Sequence, residues 1–509
     1  MNRKIIDFIK KNKYILLILL ITTLFFIVQH VFVFSWDFIA YVLNAKHLFD
    51  NGVYFETFRP PLTSFLIGLF AQISGYATAE IIYIILVNIS FCIGVVLLSK
   101  TLNFNKELFY LLLLTPMVLF YGLLNGTELL SLTFLIFGIY FILKNNWIAG
   151  LFLGLSALTR YAGIVFGVLL LFHRGVGNKI KSILLFLITF CPWLIYNRIK
   201  FGNFFTSIAD QYFQNITSRV GLEQAPQLIH FIYNQSILFL LMIVGLCFVG
   251  YAIIKYKSKI NKLINLRISI IMFIILLYTI YSYFSIPFKD ARYLFVIALP
   301  LAYFTYFGLV WFLSLFRCNK KIIEFTNIFS FKKLYWLLII LLIISSLCIL
   351  YINYTSDKHL KERYVSAVEF ITDVNLNDCL IYSDNWIYFS YIDENILLLP
   401  IEIYFNDLSI YNHKIMILYL YQYPLENQLL LESTFPVIYK NRYFLVLGDR
   451  SDCNEKSDYS EKFYDIFKFG VISNQGIQPY SEPCAVLFNK YKFMNLCCNY
   501  LNYNIFNNK

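Results

Sequence analysis

Charged side chains are scarce in this chain. Of its 509 residues, 14% are Asp, Glu, Lys or Arg, whereas 59% are hydrophobic and the mean hydropathy is +0.65. Apolar runs of roughly 20 residues, the length that crosses a bilayer, recur along the sequence. Together these features exclude an ordinary soluble protein and indicate a polytopic helical membrane protein. The sequence shows no internal repeat and no low-complexity segment.

Metal-binding motifs are also missing. The sequence has no CxxC pair and no His cluster with zinc spacing, so no zinc site is predicted. Cysteines before residue 355 are predicted to be free, whereas those after it fall where a disulfide can form. The odd number in the second group leaves the pairing open. The first group comprises Cys92, Cys191, Cys247, Cys318 and Cys348, and the second comprises Cys379, Cys453, Cys484, Cys497 and Cys498.

A cleavable signal peptide is not visible either. The basic start, from Arg3 to Lys13, runs into an apolar segment that is too long for a signal-peptide core, and no small-residue cleavage site follows it. We therefore expect a signal anchor in the plasma membrane, with the N-terminus on the cytoplasmic side.

The formal net charge of +12 is unevenly distributed along the chain. Residues 1–354 carry 29 Lys and Arg against 11 Asp and Glu, whereas residues 355–509 carry 13 against 19. The positive excess therefore belongs to the apolar part, where the preference of basic loops for the cytoplasmic side explains it. A nucleic-acid partner is not expected.

The apolar runs predict about eleven transmembrane helices. In this arrangement 21 of the 29 basic residues of the apolar part fall in predicted cytoplasmic loops. The run at 59–77 is predicted to be an interfacial helix, because a further span would invert most of these loops. Arg160 is predicted to lie at a polar turn between two short helices, buried in protein or lining a water-filled cavity. The predicted spans are Tyr14–Val33, Glu80–Leu98, Leu108–Leu123, Leu129–Leu143, Trp147–Leu158, Ala162–Phe172, Ile180–Tyr196, Ser236–Ile254, Ile268–Ser285, Leu294–Phe312 and Leu334–Tyr351.

The character of the sequence changes after residue 354. Charge becomes more frequent, and short alternating runs predict strands at Cys379–Ser383, Ile415–Tyr421 and Tyr443–Gly448. A helix is predicted at Lys361–Val374. We therefore divide the chain into a transmembrane domain, residues 1–354, and an extracytoplasmic α/β domain, residues 355–509.

The stretch from Phe34 to Pro61 departs sharply from the apolar run before it. Its first acidic residue, Asp37, follows the first predicted span closely and is expected at the membrane surface. A carboxylate in that position is a candidate functional group. The alternative is that Asp37 or Ser35 simply caps a short helix, since both residue types are good N-caps.

Other ionisable residues fall at the same predicted end of the helices, which is how a bundle builds one site from separate segments. Arg160, Lys289 and Arg292 suit a phosphate, and Glu128 adds a carboxylate. The alternatives are that charges gather at helix ends for solvation and that Glu128 forms a capping box with Asn125. The residues predicted to line the substrate loops are Tyr41, Glu56, Arg59 and Tyr161, with an aromatic-belt position as the alternative for the two tyrosines.

Four segments resemble a known superfamily. They are WDFIAYVLNAKHLFDNGVYFETFRPPLTSFLIGLF from residue 36, NGTELLSLTFLIFGIYF from 125, GLFLGLSALTRYAGIVF from 150 and DARYLFVIALPLAYF from 290. In order and spacing they resemble the GT-C glycosyltransferases that use polyprenyl-phosphate sugars, which include protein O-mannosyltransferases and lipid A aminoarabinose transferases. No single motif is specific, but the likeness extends over more than half of the chain.

The resemblance implies roles for individual residues. Asp37 corresponds to the catalytic base of the first loop, and Glu128 to an acidic residue of the next outer loop. Arg160 and Arg292 correspond to residues that bind the lipid phosphate. Two departures matter: the first-loop acid is a single Asp, which leaves a divalent metal ion open, and the tandem Trp-Asp motif of oligosaccharyltransferases is missing.

The implied activity is transfer of a sugar from a polyprenyl phosphate to a lipid, glycan or protein acceptor outside the cytoplasm, with inversion at the anomeric carbon. Two alternatives come from other classes. A transporter or flippase for a lipid-linked saccharide also needs a polar cavity, although matching broken helices in two halves are not visible. A non-catalytic assembly protein would use the α/β domain as its binding part.

Overall fold

The structure is a computed structural model of the whole chain. It describes residues 3–33, 35–52, 54–201, 204–208, 210, 211, 225, 230, 238–255, 266–286, 289–317, 331–356, 358–374, 376, 379–392, 398–401, 403, 405, 407–449, 451, 471–473 and 476–478.

The first part of the chain is built from helices. They are α1 (Arg3–Phe32), α2 (Trp36–Asp50), α3 (Pro61–Ser74), α4 (Tyr76–Leu102), α5 (Lys106–Leu113), α6 (Pro116–Tyr121), α7 (Glu128–Leu143), α8 (Ala149–Thr159), α9 (Val176–Phe201), α10 (Leu238–Lys255), α11 (Leu266–Ser285), α12 (Ala298–Arg317) and α13 (Phe331–Ser356). Two 3₁₀ helices, Tyr161–Phe172 and Ala291–Ile297, follow α8 and precede α12.

Six helices in the described ranges are long and apolar enough to cross a bilayer. They confirm a multi-pass membrane protein whose first part is mainly helical. Four further predicted spans match shorter apolar helices, so the total of eleven stays a prediction. The six are Lys10–Phe32, Tyr76–Leu102, Val176–Lys200, Leu266–Ser285, Ala291–Val310 and Tyr335–Thr355, and the shorter four are Glu128–Leu143, Ala149–Thr159, Tyr161–Phe172 and Leu238–Tyr251.

The predicted span Leu108–Leu123 is not one continuous helix. It divides into α5 and α6 around Thr115 and Pro116. Proline has no N–H to donate to the preceding turn, and the Thr115 hydroxyl accepts a hydrogen bond from the Val118 N–H at 3.3 Å, which starts a new helix.

Helix α3 has the character expected of an interfacial helix. Its 14 residues are fewer than a straight span needs. Phe65, Leu69 and Ile73 are exposed on one side, whereas Ile67 and Ala71 are buried on the other. A helix with this division can bury one face in protein and offer the other to lipid.

A small α/β unit follows the last long helix. Its helices are α14 (Lys358–Asp373), α15 (Trp386–Ile392) and α16 (Leu425–Thr434), and its strands are β1 (Ile381–Ser383), β2 (Leu398–Pro400), β3 (Ile415–Tyr419), β4 (Val437–Lys440) and β5 (Phe444–Leu447), with a separate hairpin of β6 (Val471–Ser473) and β7 (Gly476–Gln478). The five strands form one sheet in the order β2-β1-β3-β5-β4, in which β1 pairs parallel with β2 and β3 and the remaining pairs are antiparallel.

The three central strands of the sheet were predicted from the sequence, whereas its two edge strands were not. The three predicted strands correspond to β1, β3 and β5, and the predicted helix corresponds to α14. Strands β2 and β4 were not predicted: β2 is only three residues long, and β4 has no buried residue that would give it an apolar face. Runs this short show too little alternation to be distinguished from loops.

The described cysteines differ in oxidation state between the two parts of the chain. Cys92, Cys191, Cys247 and Cys348 are free, as predicted. Cys379 is disulfide-bonded, which agrees with a disulfide in the second group. The other four cysteines of that group, and Cys318, lie outside the described residues.

The α/β unit packs directly on helix α2. The ring of Trp36 lies edge-on to those of Trp386 and Tyr388, with centroids 4.6 and 5.4 Å apart. The Tyr391 hydroxyl donates to Glu80 Oε1 on α4 at 3.0 Å. The unit is therefore fixed to the start of α2 and to the N-terminal part of α4.

Asp384, which follows β1, predicts a pH dependence of folding. Burial raises the pKa of its carboxyl from 3.8 to about 6, although the Tyr419 N–H and Arg363 act in the opposite direction. Between these pH values the folded protein keeps a proton that the unfolded chain has lost, so folding stability falls as the pH rises through this window. We expect Asp384→Asn to weaken that dependence, measured as the difference in thermal unfolding midpoint between about pH 5 and about pH 7.5.

The matched control is Asp407→Asn, which changes an exposed aspartate that caps a 3₁₀ turn through the Ser409 N–H. Asparagine is an equally good cap, so this variant should keep the pH dependence of the wild type. Equal pH dependence in all three proteins would contradict the assignment to Asp384.

Candidate active site

Asp37 lies in the first turn of α2 and does not act as its cap. Ser35 is the N-cap residue, and its hydroxyl donates to Asn125 Oδ1 at 2.9 Å instead of accepting from the helix. Asp37 points to two arginines from distant parts of the chain. Arg59 Nη1 donates to its Oδ1 at 2.9 Å, and Arg292 Nη1 donates to its Oδ2 at 2.6 Å. Ser35 therefore occupies the N-cap position without a side-chain cap hydrogen bond, and the capping interpretation is not supported for Asp37.

The side chain of Arg59 is fixed in position by neighbouring side chains. Its Nε donates to Glu56, whose carboxylate also accepts from the Tyr54 hydroxyl. Glu56 is fixed in turn by Asn44, which exchanges two hydrogen bonds with its backbone at 2.9 and 3.0 Å. The guanidinium lies 5.2 Å from the centroid of the Tyr41 ring. The loop after α2 thus places Arg59 beside Asp37 as a buried cation that is paired with two carboxylates.

A second pair forms between Glu128 and Arg160. Glu128 is the first residue of α7, and its Oε1 accepts from Arg160 Nη1 at 2.5 Å while its Oε2 accepts from the Thr127 hydroxyl at 3.1 Å. The N-cap of α7 is Thr127, so the predicted capping box with Asn125 is not formed. The charge of Glu128 is directed to Arg160 instead.

The position of Arg160 follows from the break between two short helices, as predicted. Its backbone is extended, with φ −147° and ψ 121°, between the end of α8 and the 3₁₀ helix. Helix α8 can pack closely on α9 because Gly150 has no side chain: a Cβ there would lie 1.9 Å from the carbonyl oxygen of Ser182. Close packing of small residues is a common way to fix helices in membranes.

These groups line one cavity of about 250 Å³. Asp37, Tyr41, Arg59, Glu128, Arg160 and Arg292 were all singled out in the sequence, and they meet here although they come from five separate segments. The remaining lining residues are Trp36, Phe58, Pro60, Asn125, Thr127, Gln211 and Tyr293. Neither Gln211 nor Thr127 belongs to a pattern that would have marked it in the sequence.

Three predicted site residues lie outside the lining. The Glu56 carboxylate accepts a hydrogen bond from Arg59 Nε, and the Tyr161 hydroxyl accepts one from Trp193 Nε1 at 2.7 Å. The Lys289 ammonium donates to backbone carbonyls at the end of α11, including those of Tyr283 at 3.1 Å and Phe284 at 2.9 Å. This arrangement compensates exposed carbonyl groups at a helix C-terminus. A phosphate-binding role for Lys289 stays a prediction that these contacts do not support.

The electrostatics of the cavity are dominated by the arginines. Burial alone would raise the pKa of the Asp37 carboxyl, but the charges of Arg59 and Arg292 outweigh burial and hold that pKa well below its usual range. Burial raises the pKa of Tyr41 to about 12, so its hydroxyl stays neutral and able to donate. Asp37 is consequently ionised, and 27% of its side chain remains accessible from the cavity.

The donor set does not fit a resident metal ion. A metal ion held by protein groups alone needs several carboxylate, carbonyl, imidazole or thiolate groups that converge on one point. Within the described ranges no three His, Cys, Asp or Glu side chains do so. The two carboxylates that line the cavity are each paired with arginine.

No protein-family model matches the chain, and no curated protein sequence matches it. The fold is similar to that in the crystal structure of ArnT from Cupriavidus metallidurans in the apo state, with a TM-score of 0.51. The match covers 84% of this chain and 97% of that chain at 11% sequence identity. The chain therefore has a fold similar to that of ArnT, which agrees with the coarser part of the fold prediction. At this identity the likeness concerns the fold alone.

Because Glu56 forms a buried ion pair with Arg59, removal of its carboxylate is predicted to lower the stability of the fold. Only 1% of the Glu56 side chain and 8% of the Arg59 side chain are exposed. Breaking such a buried pair leaves a charge without its partner and typically costs about 3–5 kcal/mol. We expect Glu56→Ala to lower the free energy of unfolding in mild detergent towards the lower end of that range, because Asp37 remains beside Arg59.

The control is Glu426→Ala, which truncates an exposed glutamate on α16. A surface change of this kind should alter the free energy of unfolding by no more than about 0.5 kcal/mol. Equal losses in the two variants would argue against a structural role of the Glu56–Arg59 pair.

Proposed function

We propose that this protein is a membrane glycosyltransferase of the GT-C type. It transfers a sugar from a polyprenyl phosphate, either dolichyl or undecaprenyl, to a lipid, glycan or protein acceptor. The observation that carries the proposal is the cavity in which one accessible carboxylate, Asp37, faces Arg160 and Arg292. A carboxylate beside guanidinium groups suits a reaction that removes a proton and releases a phosphate.

The proposed chemistry is a single displacement. The acceptor hydroxyl or amine gives its proton to an Asp37 oxygen, and the acceptor atom forms a bond to the anomeric carbon from the face opposite the phosphate. The bond between that carbon and the phosphate oxygen breaks, and its electron pair leaves with the polyprenyl phosphate. The configuration at the anomeric carbon is therefore inverted.

Arg160 and Arg292 bind the departing phosphate in this proposal. Guanidinium groups offer planar sets of N–H donors that match phosphate oxygens. Their side chains are 23% and 21% exposed, so both can reach a ligand in the cavity. Cationic donors placed next to the atom where negative charge develops stabilise that charge and lower the barrier. Glu128 holds Arg160 in place, and Tyr41 offers a neutral hydroxyl to the sugar or acceptor.

The proposal includes an orientation. The cavity and the α/β unit face the extracytoplasmic side of the plasma membrane, because the basic loops favour the opposite side. The polyprenyl tail stays in the bilayer while its head group enters the cavity. Residues 1–354 form the catalytic domain, and residues 355–509 form the outer domain that packs on α2.

The test is Asp37→Asn. Loss of a general base typically costs about 10²–10⁴-fold in rate, so sugar transfer from a polyprenyl-phosphate donor should fall by that factor. The measurement is the turnover rate of purified protein in lipid nanodiscs with a radiolabelled donor. Thermal unfolding of the same preparation shows whether the variant is folded.

Asp50→Asn is the matched control. Asp50 ends the same helix and contacts Gln72 and Tyr76 away from the cavity lining, so transfer should continue at nearly the rate of the wild type. Undiminished transfer by a folded Asp37→Asn protein would remove Asp37 as the base. Movement of an intact donor across the membrane without transfer would favour the transporter alternative.

A further inference from the structure

The cavity is not a preformed anion site. Its charged groups and their direct ion-pair partners amount to four carboxylates and three guanidinium groups, one negative charge in excess. Each guanidinium contacts at least one carboxylate. A phosphate can bind an arginine here only by replacing a carboxylate or by sharing the cation with it. The members are Asp37, Glu56, Glu128 and Asp290, with Arg59, Arg160 and Arg292.

The two arginines on Asp37 differ in how firmly they are held. Arg59 is 8% exposed, bonds to a nearly inaccessible Glu56 and lies against the rings of Tyr41 and Phe58. Arg292 is 21% exposed, is the second residue of a 3₁₀ helix and contacts one aromatic ring, that of Tyr293, at 5.6 Å from its centroid. The Nε of Arg292 lies 3.1 Å from Asp290 Oδ2, but this contact lacks hydrogen-bond geometry. Arg292 is therefore the partner of Asp37 that can turn to a ligand.

In the proposed reaction, Asp37 loses a negative charge and the donor phosphate gains one. These are the two groups that compete for Arg292. Before transfer, Asp37 carries one negative charge and the phosphodiester carries another. After transfer, the protonated Asp37 is neutral and the polyprenyl phosphate has gained a negative charge. A cation that stays on Asp37 opposes proton uptake, whereas one that moves to the phosphate assists both changes.

We propose that Arg292 exchanges Asp37 for the donor phosphate, so that Asp37 acts as a base only when the donor is bound. This inference rests on the proposed function and concerns its control. Without donor, Oδ1 and Oδ2 each accept from an arginine, which makes the carboxylate a weak base. Donor binding frees Oδ2 for the acceptor proton, while Arg59 keeps Oδ1 oriented. Arg292 thus acts as a positioning residue for the base and a binding residue for the phosphate.

The exchange predicts a competition that can be measured without knowing the sugar or the acceptor. In the wild type, a phosphate must displace Asp37 from Arg292, and part of its binding free energy is lost in doing so. Asp37→Asn removes the competing charge. We expect farnesyl phosphate to bind this variant roughly tenfold more tightly than the wild type. A change of this size lies within the usual range of coupling between two interacting sites in a protein. The measurement is calorimetric titration of the full-length protein in nanodiscs.

Farnesol and two further variants separate the exchange from simpler effects. Farnesol lacks the phosphate and should bind wild type and Asp37→Asn equally. Asp50→Asn should not tighten farnesyl phosphate binding. In an Arg292→Gln background the gain from Asp37→Asn should disappear, because Arg292 carries the coupling between the two sites. A gain that persists there would indicate simple repulsion between Asp37 and phosphate, and would overturn the exchange.

The remaining outcomes distinguish this inference from the proposed function. Equal or weaker binding of farnesyl phosphate by Asp37→Asn, with normal binding by the wild type, overturns the exchange and leaves the transferase proposal intact. Absence of phosphate binding by both proteins overturns both. If Arg292→Gln does not fold, Arg292→Lys serves in its place, since a single ammonium cannot reproduce the planar contacts and should reduce the gain.

Discussion

The pairing of Asp37 with Arg59 and Arg292 is the contact on which the arrangement of the site depends. It joins three parts of the chain that are distant in sequence: the start of α2, the loop before α3 and the turn before α12. Placing a carboxylate where it is largely removed from water is costly unless cations and hydrogen bonds compensate it. The two arginines supply that compensation, and they also set the charge balance that any anionic ligand must change.

Sequence reasoning singled out the charged residues that line the cavity, because charge is costly and therefore rare in the apolar part of a membrane protein. In an apolar chain, residues such as Asp37, Arg160 and Arg292 are conspicuous, and the bias of lysine and arginine between loops predicts which of them share a side. The break at Arg160 and the short helix α3 were predictable for the same reason. The similarity of the fold to that of ArnT agrees with what the order of the segments suggested.

Other features were beyond that reasoning. The sequence does not predict the direction of the Lys289 side chain. Its ammonium group donates to the carbonyl groups at the end of α11, and Lys289 does not line the cavity. The N-cap of α7 is Thr127 and not Asn125, which was the alternative interpretation, and Glu128 bonds to Arg160. Polar residues of the lining such as Gln211 follow no periodic pattern. The break between α5 and α6 shows that an apolar run can satisfy the length rule while its proline interrupts the helix.

The contact between the α/β unit and helix α2 limits how freely the two parts could be recombined. Trp36, whose ring meets Trp386 and Tyr388, is the residue next to Asp37, and Glu80 accepts from Tyr391. A chimera that exchanged the sheet for that of another protein would lose these neighbours together and would disturb the turn that carries the carboxylate. The α/β unit and helix α2 therefore constrain each other, so that a change on one side of their contact requires a matching change on the other.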